Sequence, residues 1–416
     1  MIMNYLGNKT LLRGGLFSIY SFINQGFSFL LLIVLANFIL PGDYGRLSLF
    51  STVLTLIGYF MAFSSNGYFS ISYFQNNFDD FRRDFSSIIV LALFSLFFFF
   101  FICGIIIFFF KIDVGFSSYL LWYVVAISFC QCIFALYLDY YRVKEKVVNY
   151  GIVSCSNALL NFVLSLFFVI QLNQNWLGRI EAQTLCSLLF GIIAFMFFKK
   201  RDLLRFDIKW ERIKKILYWG VPLIPHHASV WIKQGVDRYI VNYYYSIYEV
   251  GLFSFALNLT SIIVMVGIAF NQTYSVSIFK YLSSDKIQRR VLFDMVKKAT
   301  IVYFAISVII VFFVNLLVPV FLPKYSGSLS YFAFLSVYGL FQCLYFLGAN
   351  FLYYYGKTKT LMQITFFSSL FHMFLSLLFS KYSLLVLCLI YIVSQCVILY
   401  YLTNKVLRLI KEDVSL

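Results

Sequence analysis

Charge is scarce in this sequence. Acidic and basic residues together make up 12% of its 416 positions, while 62% are hydrophobic. A soluble domain uses about a quarter charged residues, so a water-soluble enzyme or carrier is excluded and an integral membrane protein is expected. No polar stretch between the apolar runs is long enough for a soluble domain of useful size. Paired cysteines are missing as well: the eight cysteines stand singly in apolar runs. The nearest two, Cys130 and Cys132, would point to different faces of a helix. Neither disulfide nor metal-ligand spacing occurs, so no metal and no cofactor is expected. The period-two alternation of a membrane β-barrel is absent too, because "LALFSLFFFFFICGIIIFFF" is apolar on every face. Finally, Lys9 and Arg13 precede a long apolar run without a small-residue cleavage site, which reads as a first helix and not as a removed signal peptide.

What the chain does contain is a series of apolar runs of roughly twenty residues, each able to cross a ~30 Å hydrocarbon core at ~1.5 Å per residue. Twelve helices are predicted, over residues 16–39, 47–70, 85–110, 118–138, 152–171, 181–198, 216–241, 251–278, 299–321, 329–353, 361–379 and 383–402. The fold class is therefore all-α, with twelve transmembrane helices.

The basic residues give this bundle a side. Cytoplasmic segments retain Lys and Arg. With an internal amino terminus, the internal segments hold Lys9 and Arg13; Arg82 and Arg83; Arg142, Lys144 and Lys146; "KKRDLLRFDIKWERIKK"; Lys280, Lys286, Arg289, Arg290, Lys297 and Lys298; Lys357 and Lys359; and Lys405, Arg408 and Lys411. The external loops hold only Arg46, Lys111, Arg179, Lys324 and Lys381. Both termini are expected on the cytoplasmic side. The net charge of +16 thus faces anionic lipid head groups, and no nucleic-acid partner is needed to account for it. The 52 phenylalanines and 32 tyrosines suit lipid-facing surfaces and interfacial belts.

The largest internal polar stretch, 199–215, separates six spans from six. It divides the chain into an N-terminal half (1–198), a cytoplasmic linker (199–215) and a C-terminal half (216–416). Setting "GDYGRLSLF" on "YEVGLFSFA" matches Asp43 with Glu249 and Gly45 with Gly251, each stretch joining the first and second spans of its half. Halves with an even number of spans share one orientation, so a pseudo-two-fold axis along the membrane normal is expected.

The early "LPGDYG" (Pro41, Gly42, Asp43, Tyr44, Gly45) and the later "YWGVPLIPHHASVWIKQGVDRYIVNYYYSIYEVGLFSFA" (with Pro222, Pro225, Asp237, Arg238, Tyr239, Glu249, Val250 and Gly251) open the two halves. Together with the span count and linker position, they resemble the O-antigen and polysaccharide flippases of the multidrug, oligosaccharidyl-lipid and polysaccharide exporter superfamily. That resemblance implies a transporter and not an enzyme. It implies movement of an undecaprenyl-diphosphate-linked oligosaccharide to the periplasmic leaflet of a bacterial inner membrane, with a glycan polymerase and a chain-length regulator as further partners. The fourteen-span lipid II flippases and the less basic twelve-span drug exporters of the same superfamily fit less well. A different twelve-helix transporter and a membrane-embedded glycan polymerase are the rivals, the latter disfavoured by short external loops.

Such a substrate has a polar sugar head, an anionic diphosphate and an apolar tail that stays in lipid, so the helices must enclose a polar, cationic lumen. Candidates to line it are Asn24 and Gln25 in the first span, Asn157 and Asn161 on one face of the fifth, Asn271 and Gln272 in the eighth, Gln342 in the tenth and Gln363 in the eleventh, with Arg13 at the cytoplasmic entrance. For each amide, a helix-to-helix hydrogen bond worth ~0.6 kcal/mol is the competing reading. His372, near the centre of its span, is a candidate for proton coupling or a packing histidine. His226 and His227 follow Pro222 and Pro225, which are hinge candidates because proline breaks or kinks a helix.

The most unusual stretch is "WIKQGVDRYIVNYYYS" (231–246), with Lys233, Asp237 and Arg238 in the seventh span. Lys233 would lie ~18 Å into the core and Arg238 near its external edge. A charge near the centre costs roughly 2.5–3.5 kcal/mol if it faces lipid. Lys233 and Asp237 are four apart and share a helical face, so an ion pair between them is one reading. Contact of Lys233 or Arg238 with an anionic substrate is a second, and snorkelling of Arg238 a third. Asp237 is the first candidate for ion coupling, and Asp139, near Arg142, the second.

Overall fold

A computed structural model describes residues 2–110, 114–207, 209–283 and 288–414. Lys111 and Lys286 lie outside the described residues, as do the side chains of Lys9, Arg13 and His226. The described chain is almost entirely helical. In order the helices are α1 (Ile2–Phe38), α2 (Pro41–Phe60), α3 (Asn66–Gln75), α4 (Phe78–Ile105), α5 (Leu120–Val143), α6 (Val147–Leu166), α7 (Asn175–Lys200), α8 (Trp210–Gly220), α9 (Ile224–Gln234), α10 (Val236–Tyr244), α11 (Ile247–Leu282), α12 (Arg289–Phe321), α13 (Ser328–Tyr354), α14 (Thr358–Phe379) and α15 (Leu384–Val414).

Among the described residues ten helices are long and apolar enough to cross a membrane, α2 and α3 counting together as Pro41–Gln75. Two of the twelve expected spans do not stand among them. The first contributes a shorter apolar stretch, Phe22–Phe38 in α1. The seventh, expected as a continuous helix over 216–241, is broken into α8, α9 and α10. Pro222 falls in a 3-10 turn, Val221–Leu223, and Pro225 at the second position of α9. A proline cannot donate to the preceding turn and its ring clashes there, so the break falls where both prolines sit. The second expected span is also interrupted, because Ala62, Phe63 and Ser64 take positive φ angles of 49°, 51° and 56° and end α2. Periodicity reads apolar continuity and is blind to such local backbone reversals.

Contacts divide the chain into two units. Unit 1 holds residues 1–39 and 46–228, and unit 2 holds 40–45 and 229–416. The contact boundary therefore falls between Ala228 and Ser229, beyond the 199–215 segment, because that segment and α8 are held to α4. Arg212 donates to Asp80 at 2.6 Å and to Asp84 at 2.9 Å. Arg205 reaches Asp79 at 3.1 Å, and Arg83 reaches Asp207 at 3.4 Å. Asp84 is buried and also accepts from Ser72 (2.7 Å) and Asn76 (2.8 Å). Burial works against the Arg212 charge, but the hydrogen bonds to Asp84 and Asp80 outweigh it and hold the guanidinium pKa above its ordinary value. The third span was expected from residue 85; α4 starts at Phe78 because Asn77 caps it by accepting from the Asp80 amide at 2.8 Å. Elsewhere in unit 1, α1 packs on α6, α6 on α7, and α7 on α5.

In unit 2, α13 is the central helix, packed against α11, α12, α14 and α15. Ser246 accepts from the Glu249 amide at 3.3 Å and caps α11, and Tyr331 donates to the Glu249 carboxylate at 2.7 Å. Residues 40–45, the "LPGDYG" stretch, belong to this unit. Tyr44 is buried, accepts from Asn258 at 2.6 Å and stacks edge-on against Phe255 and Tyr325. Gly45 and Gly251, matched by the internal repeat, meet here: a Cβ on Gly251 would overlap the Pro41 carbonyl, and one on Gly45 the Ile247 carbonyl. Only glycine permits that approach of two helix backbones.

Candidate functional site

The charged stretch of the broken seventh segment builds a polar interior in unit 2. Gly235 separates α9 from α10 and leaves Asp237 in the first turn of α10, where the helix dipole favours an acidic side chain. Asp237 is fully buried. Its partner is not Lys233: the Asp237 Oδ2 atom lies 2.7 Å from His372 Nε2 of α14, which is also fully buried. The expected Lys233–Asp237 ion pair is thus replaced. Lys233 instead donates to Gln395 Oε1 of α15 at 2.8 Å and lies 5.0 Å above the Tyr338 ring of α13. The break at Gly235 and the arrival of α14 and α15 decide this, and four-residue spacing carries no information on either.

Further contacts join the two pairs. Tyr391 of α15 donates to the Lys233 carbonyl at 2.7 Å, and its ring meets His372 edge-on at 4.6 Å. His372 Nδ1 lies 3.1 Å from Ser394 Oγ. Ser394 Oγ is in turn 3.0 Å from the Tyr391 carbonyl, and its own carbonyl accepts from Ser368 at 2.9 Å. The proton inventory follows from these partners. Nε2 must carry a hydrogen to bond the carboxylate. If the Ser394 hydroxyl donates to Tyr391 O, Nδ1 must also carry one, and the ring is an imidazolium; if that hydroxyl turns to Nδ1, the ring is neutral. One hydroxyl rotation accommodates either state. Asp237 Oδ1 and Gln395 Nε2 are buried without a hydrogen-bond partner among the described residues.

The other expected residues are distributed. Arg238 donates to Ser254 of α11 at 3.2 Å and to the Gln234 carbonyl at 3.0 Å, within unit 2. Asn271 bonds Asn350 of α13 (2.9 Å) and Tyr303 of α12 (3.4 Å), the helix-to-helix packing role. Gln272 and Gln25 are exposed and Gln342 is half-buried, while Gln363 lines an apolar groove between α14 and α15. Asp139 pairs with Arg142 at 2.6 Å in unit 1. His227 stacks on Tyr59 at 5.0 Å. Asn24, Asn157 and Asn161 line one cavity in unit 1. Arg179, expected in an external loop, lies inside α7 and lines that cavity too, since the loop ends at Gln174.

Sequence reasoning missed Gln395, Ser394, Tyr338 and Tyr391. Gln395 and Ser394 carried a signal, two polar residues inside the apolar run "YIVSQCVILY". Their pairing with Lys233 and His372 across the fold carried none.

The chain matches the family model "Polysaccharide biosynthesis protein" over residues 11–276 and the model "MatE" over 222–378. It is 23% identical to "Lsg locus putative protein 1" of Haemophilus influenzae over 303 residues, 70% of this chain and 74% of that protein. Among solved structures it resembles the inward-facing conformation of a multidrug resistance MATE family transporter, with a TM-score of 0.71 at 15% identity, over 95% of this chain and 96% of that one. It resembles the lipid II flippase MurJ in its inward closed conformation with a TM-score of 0.72 at 15% identity, over 94% and 87%. The two structural likenesses establish the fold, and the first family match spans more than half of the sequence: the chain belongs to the polysaccharide biosynthesis protein family.

Proposed function

We propose that this protein is a flippase that moves undecaprenyl-diphosphate-linked O-antigen or related polysaccharide repeat units from the cytoplasmic to the periplasmic leaflet of a bacterial inner membrane. It acts by alternating access as a proton-coupled antiporter and performs no chemistry on its substrate. The observation that carries this reading is the charged interior of the broken seventh segment: Lys233 is held beside Tyr338 by Gln395, and Asp237 is held by His372. A purely apolar carrier has no use for a buried ammonium, whereas an anionic lipid-linked head group does. The His372–Asp237 pair is the coupling site, because a ring that keeps its hydrogen bonds both protonated and neutral can load and release a proton without unfolding its surroundings. Asp139, paired with Arg142, is the second candidate for this role.

The same reading includes twelve spans, the ten long helices together with α1 and the segment α8–α10, in two six-helix halves related by a pseudo-two-fold axis. The match of "GDYG" to "YEVG" supports the repeat, and discontinuous helices are common where transporters bind ligands. Pro222 and Pro225 serve as the hinge of the seventh segment. Arg238, Asn24 and Gln25 contribute polar contacts along the path; Asn271 serves packing. Both termini face the cytoplasm, and the glycan polymerase and chain-length regulator act on the translocated product.

The test is complementation of an O-antigen flippase-null strain with matched and foreign repeat units, paired with transport of labelled lipid-linked oligosaccharide into liposomes. Restored surface glycan and gradient-dependent transport are expected. Export of small cationic drugs without movement of the glycan lipid would replace this reading with that of a drug exporter.

A further inference from the structure

Arg179 has no place in the coupling site of unit 2, and its surroundings are unlike those of a loop arginine. It sits one turn into α7, and its Nη1 donates to Asn161 Oδ1 at 2.7 Å and to Ser165 Oγ at 3.2 Å, both on α6. Those two bonds use both hydrogens of Nη1. The N–H groups of Nε and Nη2 donate to no atom of the described residues, and no carboxylate lies within ion-pairing reach. The guanidinium instead borders a cavity of about 160 Å³ within unit 1, whose polar lining is Asn24 and Ser28 of α1 with Ser154, Asn157 and Asn161 of α6. No acidic side chain lines it. Asn24 Oδ1 is buried without a hydrogen-bond partner.

These features together describe a receptor for an anion. A guanidinium offers a planar fork of donors that matches the oxygens of a phosphate or carboxylate. Here the part of the fork left unused by α6 borders a partly open cavity whose lining holds no counter-charge, so an arriving anion meets a half-buried cation that no carboxylate neutralises. An asparagine amide can turn either its oxygen or its nitrogen to a ligand, so Asn24 suits a hydroxyl or an anionic oxygen equally. The size is selective as well. A single water needs ~15 Å³ and a drug-sized molecule at least ~300 Å³, so the cavity admits a charged group and not a whole glycan.

We propose that the Arg179 cavity is an anion subsite that receives a phosphate or carboxylate group of the transported glycan lipid, with Arg179 as the charged contact and Asn24, Asn157 and Asn161 as its amide collar. The identity of the ligand rests on the flippase reading; the existence of the subsite does not. It adds a cationic contact in unit 1 to the one at Lys233 in unit 2.

The experiment measures equilibrium binding to the full chain in nanodiscs, using undecaprenyl diphosphate, methyl glucuronide and, as an uncharged control, undecaprenol. Arg179→Gln removes the charge. Ala158→Leu fills the cavity from α6 and leaves every Arg179 hydrogen bond in place, so it carries the test if the first variant fails to fold. Both are expected to weaken at least one anionic probe about tenfold or more, the loss of a charge-assisted contact, and to leave undecaprenol unchanged. Loss of the diphosphate alone assigns the subsite to the lipid phosphate, and loss of the glucuronide to a sugar carboxylate. Affinities within twofold of the parent for both anions in the folded variants would overturn the proposal and leave Arg179 as a tie between α6 and α7. The outcomes are separable from those of the flippase reading. A parent protein that binds these anions but moves no lipid-linked oligosaccharide removes that reading alone, and transport with unchanged variant affinities removes the subsite alone.

Discussion

Replacing His372 by alanine isolates the physical content of the His372–Asp237 pair. Both side chains are fully buried, and the ring meets the Asp237 carboxylate at 2.7 Å through Oδ2, while Oδ1 has no hydrogen-bond partner among the described residues. His372→Ala therefore removes the ionisable partner of a fully buried carboxylate in the interior of unit 2. Breaking a buried ionic pair by removing one partner costs roughly 3–5 kcal/mol, because the surviving charge cannot be resolvated. The conservative change Asp237→Asn behaves differently: its amide oxygen still accepts from Nε2, and a hydrogen bond to a charged group worth ~1.5–3 kcal/mol becomes a neutral one worth ~0.5–1.5 kcal/mol, a loss of about 1 kcal/mol. In the double variant the stranded charge is gone, so most of the His372→Ala penalty should return as a coupling energy of about 2 kcal/mol or more. The assay is reversible unfolding of the four proteins in one detergent, alongside gradient-driven transport in liposomes. Asp237→Asn is expected to fold near normally and bind substrate while losing dependence on the proton gradient. A His372→Ala penalty below about 1 kcal/mol, with no coupling in the cycle, would refute the argument that the ring sustains the buried charge. Unchanged proton dependence in Asp237→Asn would remove the coupling role.

Three further outcomes are expected. Gly251→Ala forces a methyl group onto the Pro41 carbonyl and should destabilise the protein by about 1–3 kcal/mol in the same unfolding assay, whereas Gly26→Ala, with open space around its Cβ position, should not. Asp84→Asn removes the buried charge that Arg212, Ser72 and Asn76 share; a loss of about 1–3 kcal/mol is expected, read as faster proteolysis of the 199–215 segment. Pro225→Ala restores a backbone donor at the break of the seventh segment and should leave expression intact while reducing translocation in a flippase-null strain; full transport would remove the hinge role.

The membrane class and most of the helices were legible because apolar runs of spanning length have no other use. The breaks were less so. Pro222 and Pro225 announced one of them, but the reversal at Ala62, Phe63 and Ser64 involves no proline or glycine and gave no sign. In the candidate site the individual residues stood out, since a lysine, an aspartate and a histidine inside apolar runs are costly wherever they face lipid. Their partners did not. Four-residue spacing joined Lys233 to Asp237, whereas packing joined each to a residue more than a hundred positions away.

By itself, then, the sequence determined that this chain is a bundle of membrane helices with a strongly basic net charge and a few polar groups in its apolar runs that must be satisfied internally. Those properties follow from composition and hydrophobic length, which act locally along the chain. Only the tertiary structure decided which groups satisfy one another: His372 with Asp237, Gln395 with Lys233, and Arg179 with α6 beside a cavity. A buried charge constrains the kind of partner it requires, but the partner's position is set by helix packing, and a linear pattern carries no record of which faces meet.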